Sequence, residues 1–318
     1  MKKCPISFKT LHEVKVILSE PSFTVRPKSA PVPKEIEASC AGAIFASLVR
    51  MRDGSQHNKL KIAVIQALDF FTEQEIYQTT LIVAEILYKK KEINSAESLT
   101  LFNYALPICV IGYLIGIHHS EWENLVIKSR EFFDCIISNG DKQKTIESIV
   151  ASEYLYTQVE NVSGILLTKL TESFLIQNIS DKHVVISNAI GFLFQASDST
   201  TGLLGKMLIR HQGNKNIKGK DILNEVLDQE PPIKNTRRFK TGQGNHSNEK
   251  LIVIPLKTEE GTLPFGYGAH RCPGEIWGKT IALAAFEFLI SLPVLDPFIA
   301  HYQWRDSPNA SVPEFITY

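Results

Sequence analysis

The spacing of apolar residues from about Ala38 to Leu227 predicts a chain built mainly from α-helices. Segments such as KLKIAVIQALDFF and VSGILLTKLTESFLI carry apolar residues every three or four positions, which places them on one face of a helix. The short run LIVIPL is rich in β-branched residues and favours a strand. We therefore predict a mainly α fold with a small β-sheet.

The two ends of the chain depart from the helical pattern. Residues 20–37 are interrupted repeatedly by proline, which the interior of a helix does not tolerate. We interpret residues 1–37 as an extended N-terminal leader and residues 38–318 as a single domain. Near the other end, the alternation and the prolines of YQWRDSPNASVPEFITY predict a terminal hairpin.

Composition narrows the class of protein. Lysine plus arginine equals aspartate plus glutamate, at 34 each, so the net charge does not favour a nucleic-acid partner. The five cysteines form no C-x-x-C pair, which is unlike a disulfide framework or a zinc ribbon. The N-terminal segment lacks the uninterrupted apolar core of a signal peptide, and the apolar run from Ala105 to Ile117 is too short to span a bilayer. We expect a cytoplasmic protein with no membrane anchor.

The stretch FGYGAHRCPG surrounds one cysteine with glycines, a histidine and a proline. Glycines at 266 and 268 permit a positive φ and a close approach of the backbone to a bulky group. Pro273 is a favoured first residue of a helix, so we expect Cys272 at the positive end of the helix that follows, where a thiolate is stabilised. These features predict a loop that holds a thiolate ligand against a metal.

The pattern F-G-x-G-x-H-x-C-x-G resembles the heme-binding loop of the cytochromes P-450, the heme-thiolate monooxygenases, at every position. The resemblance implies heme b (iron protoporphyrin IX), with Cys272 as the axial ligand of the iron, inside a cytochrome P-450-like α-helical fold. It assigns five loop residues to cofactor binding: Phe265, Gly266, His270, Cys272 and Gly274. The alternative is a glycine-rich turn around an inert buried cysteine, which the number of matched positions disfavours.

Two further segments resemble the parts of the family that bind the heme propionates. His57 and Lys61 in MRDGSQHNKLK lie one helical turn apart, with lysine where the family usually has arginine. The stretch EPPIKNTRRF contains two adjacent arginines, Arg237 and Arg238. Of these, Arg237 has the spacing that better matches the family's propionate-binding arginine. Alone, a histidine and a lysine at this spacing also suit a solvated helix face.

The segment FLFQASDSTTGLLG resembles the family's long helix that crosses the distal heme face. The resemblance places Ala196 at the small-residue position, and makes Asp198 and Ser199, followed by Thr200, the acid and alcohol groups that relay protons. Outside that context, polar residues in an apolar helix also bond back to the preceding turn.

The chain departs from the family at the helix that usually contains E-x-x-R, because Asp228 stands where the arginine would pair with Glu225. A buried carboxylate needs a partner, so we expect Arg238 to turn back toward Glu225 while Arg237 contacts a propionate. The alternative is a solvated Glu225. The chain is also short between Arg238 and Phe265, which predicts a reduced sheet.

Three functions follow from the resemblance. The first is a monooxygenase that inserts one atom of dioxygen into an apolar small molecule, with electrons from a separate ferredoxin or flavoprotein reductase, since the chain has no glycine-rich dinucleotide loop. The second is a heme-thiolate peroxygenase or a redox-neutral dehydratase or isomerase; R-C-P-G-E also occurs in peroxide-using relatives, whereas Asp198 with Ser199 disfavours peroxide. The third, based on Asp228 and the reduced sheet, is a degenerate non-catalytic heme-binding protein.

Overall fold

The structure is a computed structural model that describes residues 8–137, 141–240, 249–293 and 295–317. Helices make up most of the described chain, and the strands are short. The helices are α1 (Leu11–Ser19), α2 (Cys40–Ser47), α3 (Gly54–Leu68), α4 (Glu73–Lys90), α5 (Ala96–Ile115), α6 (Trp122–Ile137), α7 (Lys142–Glu160), α8 (Ile165–Ile176), α9 (Lys182–Gly213), α10 (Gly219–Gln229), α11 (Glu275–Ile290) and α12 (Leu295–Phe298). The strands are β1 (Phe23–Thr24), β2 (Asn235–Lys240), β3 (Lys250–Pro255), β4 (Lys257–Thr258), β5 (Gly261–Thr262), β6 (Tyr302–Trp304) and β7 (Pro313–Phe315).

The strands of the described chain form one three-stranded sheet and two small hairpins. The sheet has the antiparallel order β1-β2-β3, and β4 pairs with β5 as β6 pairs with β7. LIVIPL supplies β3, and the C-terminal segment forms the hairpin β6–β7, both as predicted. The mainly α fold with a reduced sheet is confirmed.

The N-terminal segment contains regular structure that the sequence analysis missed. A capping box between Thr10 and Glu13 starts α1, whose Val14 and Leu18 pack against the apolar face of the sheet. β1 then pairs with β2. The leader is therefore not extended throughout, because a capped helix and a strand dock on the sheet; residues 25–39, which contain most of its prolines, form turns.

Helix α9 is the centre of the molecule. It packs against α2, α5, α7, α8, α10 and α11, and most of its side chains between Val185 and Leu208 are buried. Its neighbour α5 is long and apolar enough to cross a membrane, but 78% of its most apolar 18-residue window lies inside the protein. The apolar run of α5 is thus a core segment of this fold.

Helix α10 carries Glu225, the acid whose usual partner is replaced by Asp228. Its carboxylate pairs with Arg210 in the last turn of α9, where Nη1 and Oε1 are 3.4 Å apart and the side chains are 33% and 32% exposed. Arg238 donates instead to the Thr236 hydroxyl and the Arg237 carbonyl. The expected pair of Glu225 with Arg238 is therefore wrong, because α10 lies along α9 and its acid meets an arginine there.

We expect Glu225→Gln and Arg210→Gln each to lower the free energy of unfolding by less than about 1 kcal/mol, because a partly exposed pair is screened by water. The double variant should lose less free energy of unfolding than the sum of the two single losses, because either single substitution already removes the ion pair. Urea unfolding of the single and double variants measures this coupling. Glu225→Gln with Arg238→Gln is the control and should be additive; coupling to Arg238 without coupling to Arg210 would contradict the assignment.

Candidate functional site

A cavity of about 510 Å³ lies between the middle of α9 and the loop that precedes α11. This volume is within the range of roughly 300–1,000 Å³ that small-molecule and cofactor sites occupy. All the residues that the sequence analysis assigned to catalysis or cofactor binding line it: His57, Lys61, Ala196, Asp198, Ser199, Thr200, Arg237, Phe265, Gly266, His270, Cys272 and Gly274. Segments far apart in sequence therefore meet at one place.

The cysteine loop has the backbone that its glycines predict. Gly266 and Gly268 have φ values of 72° and 68°, in the left-handed region that favours glycine. The Cys272 amide donates to the Phe265 carbonyl at 2.8 Å, which closes the loop on itself. Helix α11 begins at Glu275, two residues later than Pro273 predicts. The loop thus presents Cys272 just before the first turn of a helix.

The Cys272 thiol has accessible surface, and Cys272 lines the cavity. Burial by the surrounding protein raises the pKa of this thiol, and the Gly274 amide, Lys61 and Arg50 lower it by smaller amounts. The Gly274 amide at the helix end and the two cations favour the thiolate, as expected from the sequence, but they offset the desolvation of the sulfur only in part. A coordinated metal ion removes the proton from a thiol outright, so the loop is suited to a metal-bound sulfur.

Two histidines and an aspartate form one wall beside the loop. The rings of His57 and His270 are 4.1 Å apart, and His270 Nε2 lies 3.1 Å from Asp53 Oδ1. Burial, and then the neighbouring His270, lower the pKa of His57 to about 4, so His57 is neutral at pH 7. A neutral imidazole offers a hydrogen bond to an anion without a full charge.

Lysine and arginine side chains supply the positive charge of the cavity lining. Lys61 Nζ donates to the carbonyl oxygens of Ala269 and Arg271, and so ties α3 to the cysteine loop. On β2, Arg238 is buried and Arg237 is exposed, since successive side chains of a strand point to opposite faces. This is the reverse of the expectation for the doubled arginine, and Arg238 is the better-placed candidate for a propionate.

Arg50 is a cavity residue that the sequence analysis missed. It lies in a 3₁₀ turn, Val49–Met51, just before α3. Arg50 is an exposed residue that lines the cavity, and desolvation by the neighbouring protein lowers the pKa of its guanidinium, whereas the nearby Cys272 raises it. No motif marks this arginine, so the sequence offered no signal for it.

The residues of the site fit a heme. The loop offers one accessible thiol without a bulky neighbour, since a Cβ on Gly274 would meet little except the sulfur, 4.0 Å away. No group of three or more histidine, cysteine or acidic residues able to hold a metal ion occurs among the described residues. Lys61 and Arg238 are the lining cations that would hold the two propionates of such a group.

The acid and alcohol residues of α9 have different surroundings. The Asp198 carboxylate accepts a hydrogen bond from Arg305 in an ion pair. The Ser199 hydroxyl donates back to the Gln195 carbonyl at 3.2 Å, while Thr200, a buried residue, lines the cavity without such a bond to the helix. Thr200 is therefore better placed than Ser199 to offer a hydroxyl to the cavity.

Arg305 follows strand β6, so the acid of α9 is held by the C-terminal hairpin. The Arg305 guanidinium also lies 5.4 Å from the ring centre of Tyr104, whose hydroxyl donates to Glu314 at 3.3 Å. The Arg130 guanidinium lies 4.4 Å from the centre of the same ring. This cluster joins α5, α6, α9 and the hairpin, and the sequence analysis missed it because its members share no motif.

Comparison with known proteins gives matches in structure alone. No protein-family model matches the sequence, and no curated protein does. P450BioI, solved in complex with hexadec-9Z-enoic acid ligated acyl carrier protein, is similar with a TM-score of 0.73 and 16% identity, over 96% of this chain and 89% of that one.

Two further solved structures give the same result. Cytochrome P450 260B1 of Sorangium cellulosum So Ce56 is similar with a TM-score of 0.73 and 14% identity, over 97% of this chain and 88% of that one. CYP109E1 from Bacillus megaterium, in complex with testosterone, is similar with a TM-score of 0.66 and 14% identity, over 97% of this chain and 91% of that one. With nearly complete coverage and with the cysteine loop facing α9 across the cavity, the chain has the cytochrome P450 fold.

Proposed function

We propose that the chain is a heme-thiolate oxidoreductase, and more specifically a monooxygenase that inserts one atom of dioxygen into an apolar small molecule. The observation that carries this proposal is the accessible thiol of Cys272, which faces a cavity lined by every other candidate residue. Heme b, when bound through this sulfur, supplies the redox chemistry that activates dioxygen.

The chain's own residues bind and orient the cofactor. The positive-φ glycines allow the loop backbone to approach a flat group closely. Lys61 and Arg238 would neutralise the propionates, and the neutral His57 would add a hydrogen bond. Because Lys61 also bonds to two carbonyls of the cysteine loop, the same side chain orients the loop and supplies charge.

Proton supply falls to Asp198 and Thr200. Thr200 lies in the cavity wall, where its hydroxyl can bond to a ligand. Asp198 shares its carboxylate with Arg305, so it passes a proton only when that contact loosens. This arrangement favours dioxygen over peroxide as the oxidant, because peroxide brings its own protons. It also disfavours a degenerate protein, as does the pairing of Glu225 with Arg210.

The rest of the site indicates the partners. Aromatic and aliphatic side chains from α2, α5, α6 and α9 line the cavity, including Phe45, Ile111, Phe133 and Leu203, and they suit an apolar substrate. Electrons come from a separate ferredoxin or flavoprotein reductase, since the sequence has no dinucleotide-binding loop. We place the protein in the cytoplasm, where such donors and reduced thiols occur together.

Cys272→Ala should abolish the absorption spectrum that the reduced, carbon-monoxide-bound heme thiolate gives, because this thiol would be the protein's ligand to the heme iron. The measurement is a difference spectrum of the purified, heme-supplemented protein. Cys40→Ala is the matched control and should leave the spectrum unchanged. A thiolate spectrum that survives in Cys272→Ala would overturn the proposed function.

Asp198→Asn should retain heme but slow oxygen-dependent turnover, by about 10-fold to 100-fold, since a relay matters in the proton-transfer step and not in cofactor binding. Arg305→Gln should alter turnover through the same acid. Oxygen consumption with a reductase and a ligand found by spectral titration measures both effects. Asp306→Asn, an exposed neighbouring acid, is the control; turnover equal to the parent in Asp198→Asn would exclude the relay.

A further inference from the structure

A proline in the middle of α5 interrupts the hydrogen bonds of that helix. Pro107 has no amide proton, so the carbonyl four residues earlier, that of Asn103, receives no bond from it. The Thr201 hydroxyl of α9 donates to this carbonyl instead, at 3.0 Å. Asn103 therefore lies where α5 and α9 meet, and the neighbouring helix satisfies its backbone.

The side chain of Asn103 is not satisfied in the same way. The residue is 1% exposed, and neither its Oδ1 nor its Nδ2 has a hydrogen-bond partner among the described residues. An amide accepts hydrogen bonds through its oxygen and donates two through its nitrogen. Burying such a group without a partner is costly, so folded proteins satisfy it with protein atoms or with ordered water.

A second buried group of this kind lies on α6. Ser129 is also 1% exposed, and its hydroxyl has no hydrogen-bond partner in the part of the chain that the structure describes. The residues that follow Asn103 and Ser129 touch each other, since the Arg130 guanidinium lies 4.4 Å from the ring centre of Tyr104. Because consecutive Cα atoms are about 3.8 Å apart, Asn103 and Ser129 lie beside one contact between α5 and α6.

The chemistry of these groups indicates what they bind. Four buried side-chain nitrogen and oxygen atoms lack a partner in the described chain, and three of them belong to Asn103 and Ser129. A metal ion does not suit this set, because the amide nitrogen can only donate. A water molecule both donates and accepts, and a buried water typically makes about three hydrogen bonds.

This junction of α5, α6 and α9 lies beside the acid of α9 but outside the cavity. Thr201 is about one helical turn beyond Asp198, and Arg305, which pairs with Asp198, lies 5.4 Å from the centre of the Tyr104 ring. The described residues that line the cavity include Asp198 but neither Asn103 nor Tyr104. The junction is thus a site distinct from the cavity.

We propose that an ordered water is bound at this junction by the Asn103 amide and the Ser129 hydroxyl. The water is a permanent part of the fold, because it gives both buried groups a partner. It joins α5 to α6 next to the ring beside which Arg305 lies, and so it stabilises the surroundings of the Asp198–Arg305 pair. The site goes beyond the proposed function, since it requires neither a cofactor nor a substrate.

The first measurement counts bound water directly. Magnetic relaxation dispersion of the water oxygen nucleus reports water molecules that a protein holds for longer than its own rotation time. The purified chain is used, in its reduced, carbon-monoxide-bound form if it carries heme, because that form is diamagnetic. Asn103→Leu replaces the amide by an apolar group of similar size and should lose about one such water relative to the parent.

Asn188→Leu is the matched control for this count. Asn188 is a buried asparagine whose amide bonds directly to protein: Oδ1 accepts from the Val49 amide at 2.9 Å, and Nδ2 donates to the carbonyls of Ser47 and Val184. This variant should lose stability without losing a water. An unchanged water count in Asn103→Leu, or an equal loss in Asn188→Leu, would overturn the proposal.

Urea unfolding then tests whether Asn103 and Ser129 share the water. Asn103→Leu and Ser129→Ala should each lower the urea midpoint, because each removes a hydrogen bond to the water, and the double variant should lose less than the sum of the two losses. If the amide and the hydroxyl had no partner at all, either substitution would leave the midpoint unchanged or raise it. That result, or an additive loss, would contradict the site. Ser129→Ala removes little volume, so it decides the question even if Asn103→Leu does not fold.

Discussion

Desolvation of polar groups around the cavity is the constraint on which the site depends. Protein packed around Cys272 raises the pKa of its thiol, and the same surroundings lower the pKa values of His57 and Arg50. Each shift disfavours the charged form that the group would take in water. A bound group that accepts the sulfur's electron pair and supplies negative charge to the cations reverses these costs together, so cofactor binding and stability of the site are coupled.

The parts of this site that the sequence predicted are those in which one short segment contains its own explanation. The glycines, the cysteine and the start of α11 are contiguous, so their spacing reveals the loop around Cys272. The same holds for the helical periodicity and for the hairpin β6–β7. In each case local backbone preference and tertiary position agree.

The parts that the sequence did not predict are pairings between distant segments. Arg210 and Arg305 meet Glu225 and Asp198 because of how α10 and the hairpin lie against α9, and neither contact leaves a pattern in the chain. Which of the adjacent arginines of β2 suits a propionate likewise depends on which face of the strand is buried. The buried residue is Arg238, whereas spacing alone favoured Arg237. Helix α1 was missed because the prolines that follow it dominated the composition of the segment.

The ion pair between Asp198 and Arg305 joins residues separated by 107 positions, and α10, strands β2 to β5 and the cysteine loop all lie between them in the chain. During synthesis on a ribosome, α9 and its Asp198 emerge well before Arg305 does. Helices α5 and α9 can pack on each other in that interval, but Asp198 then lies against a partly formed core without its counter-ion. The side of the cavity that α9 forms is thus completed in two stages, and the second stage requires the hairpin β6–β7.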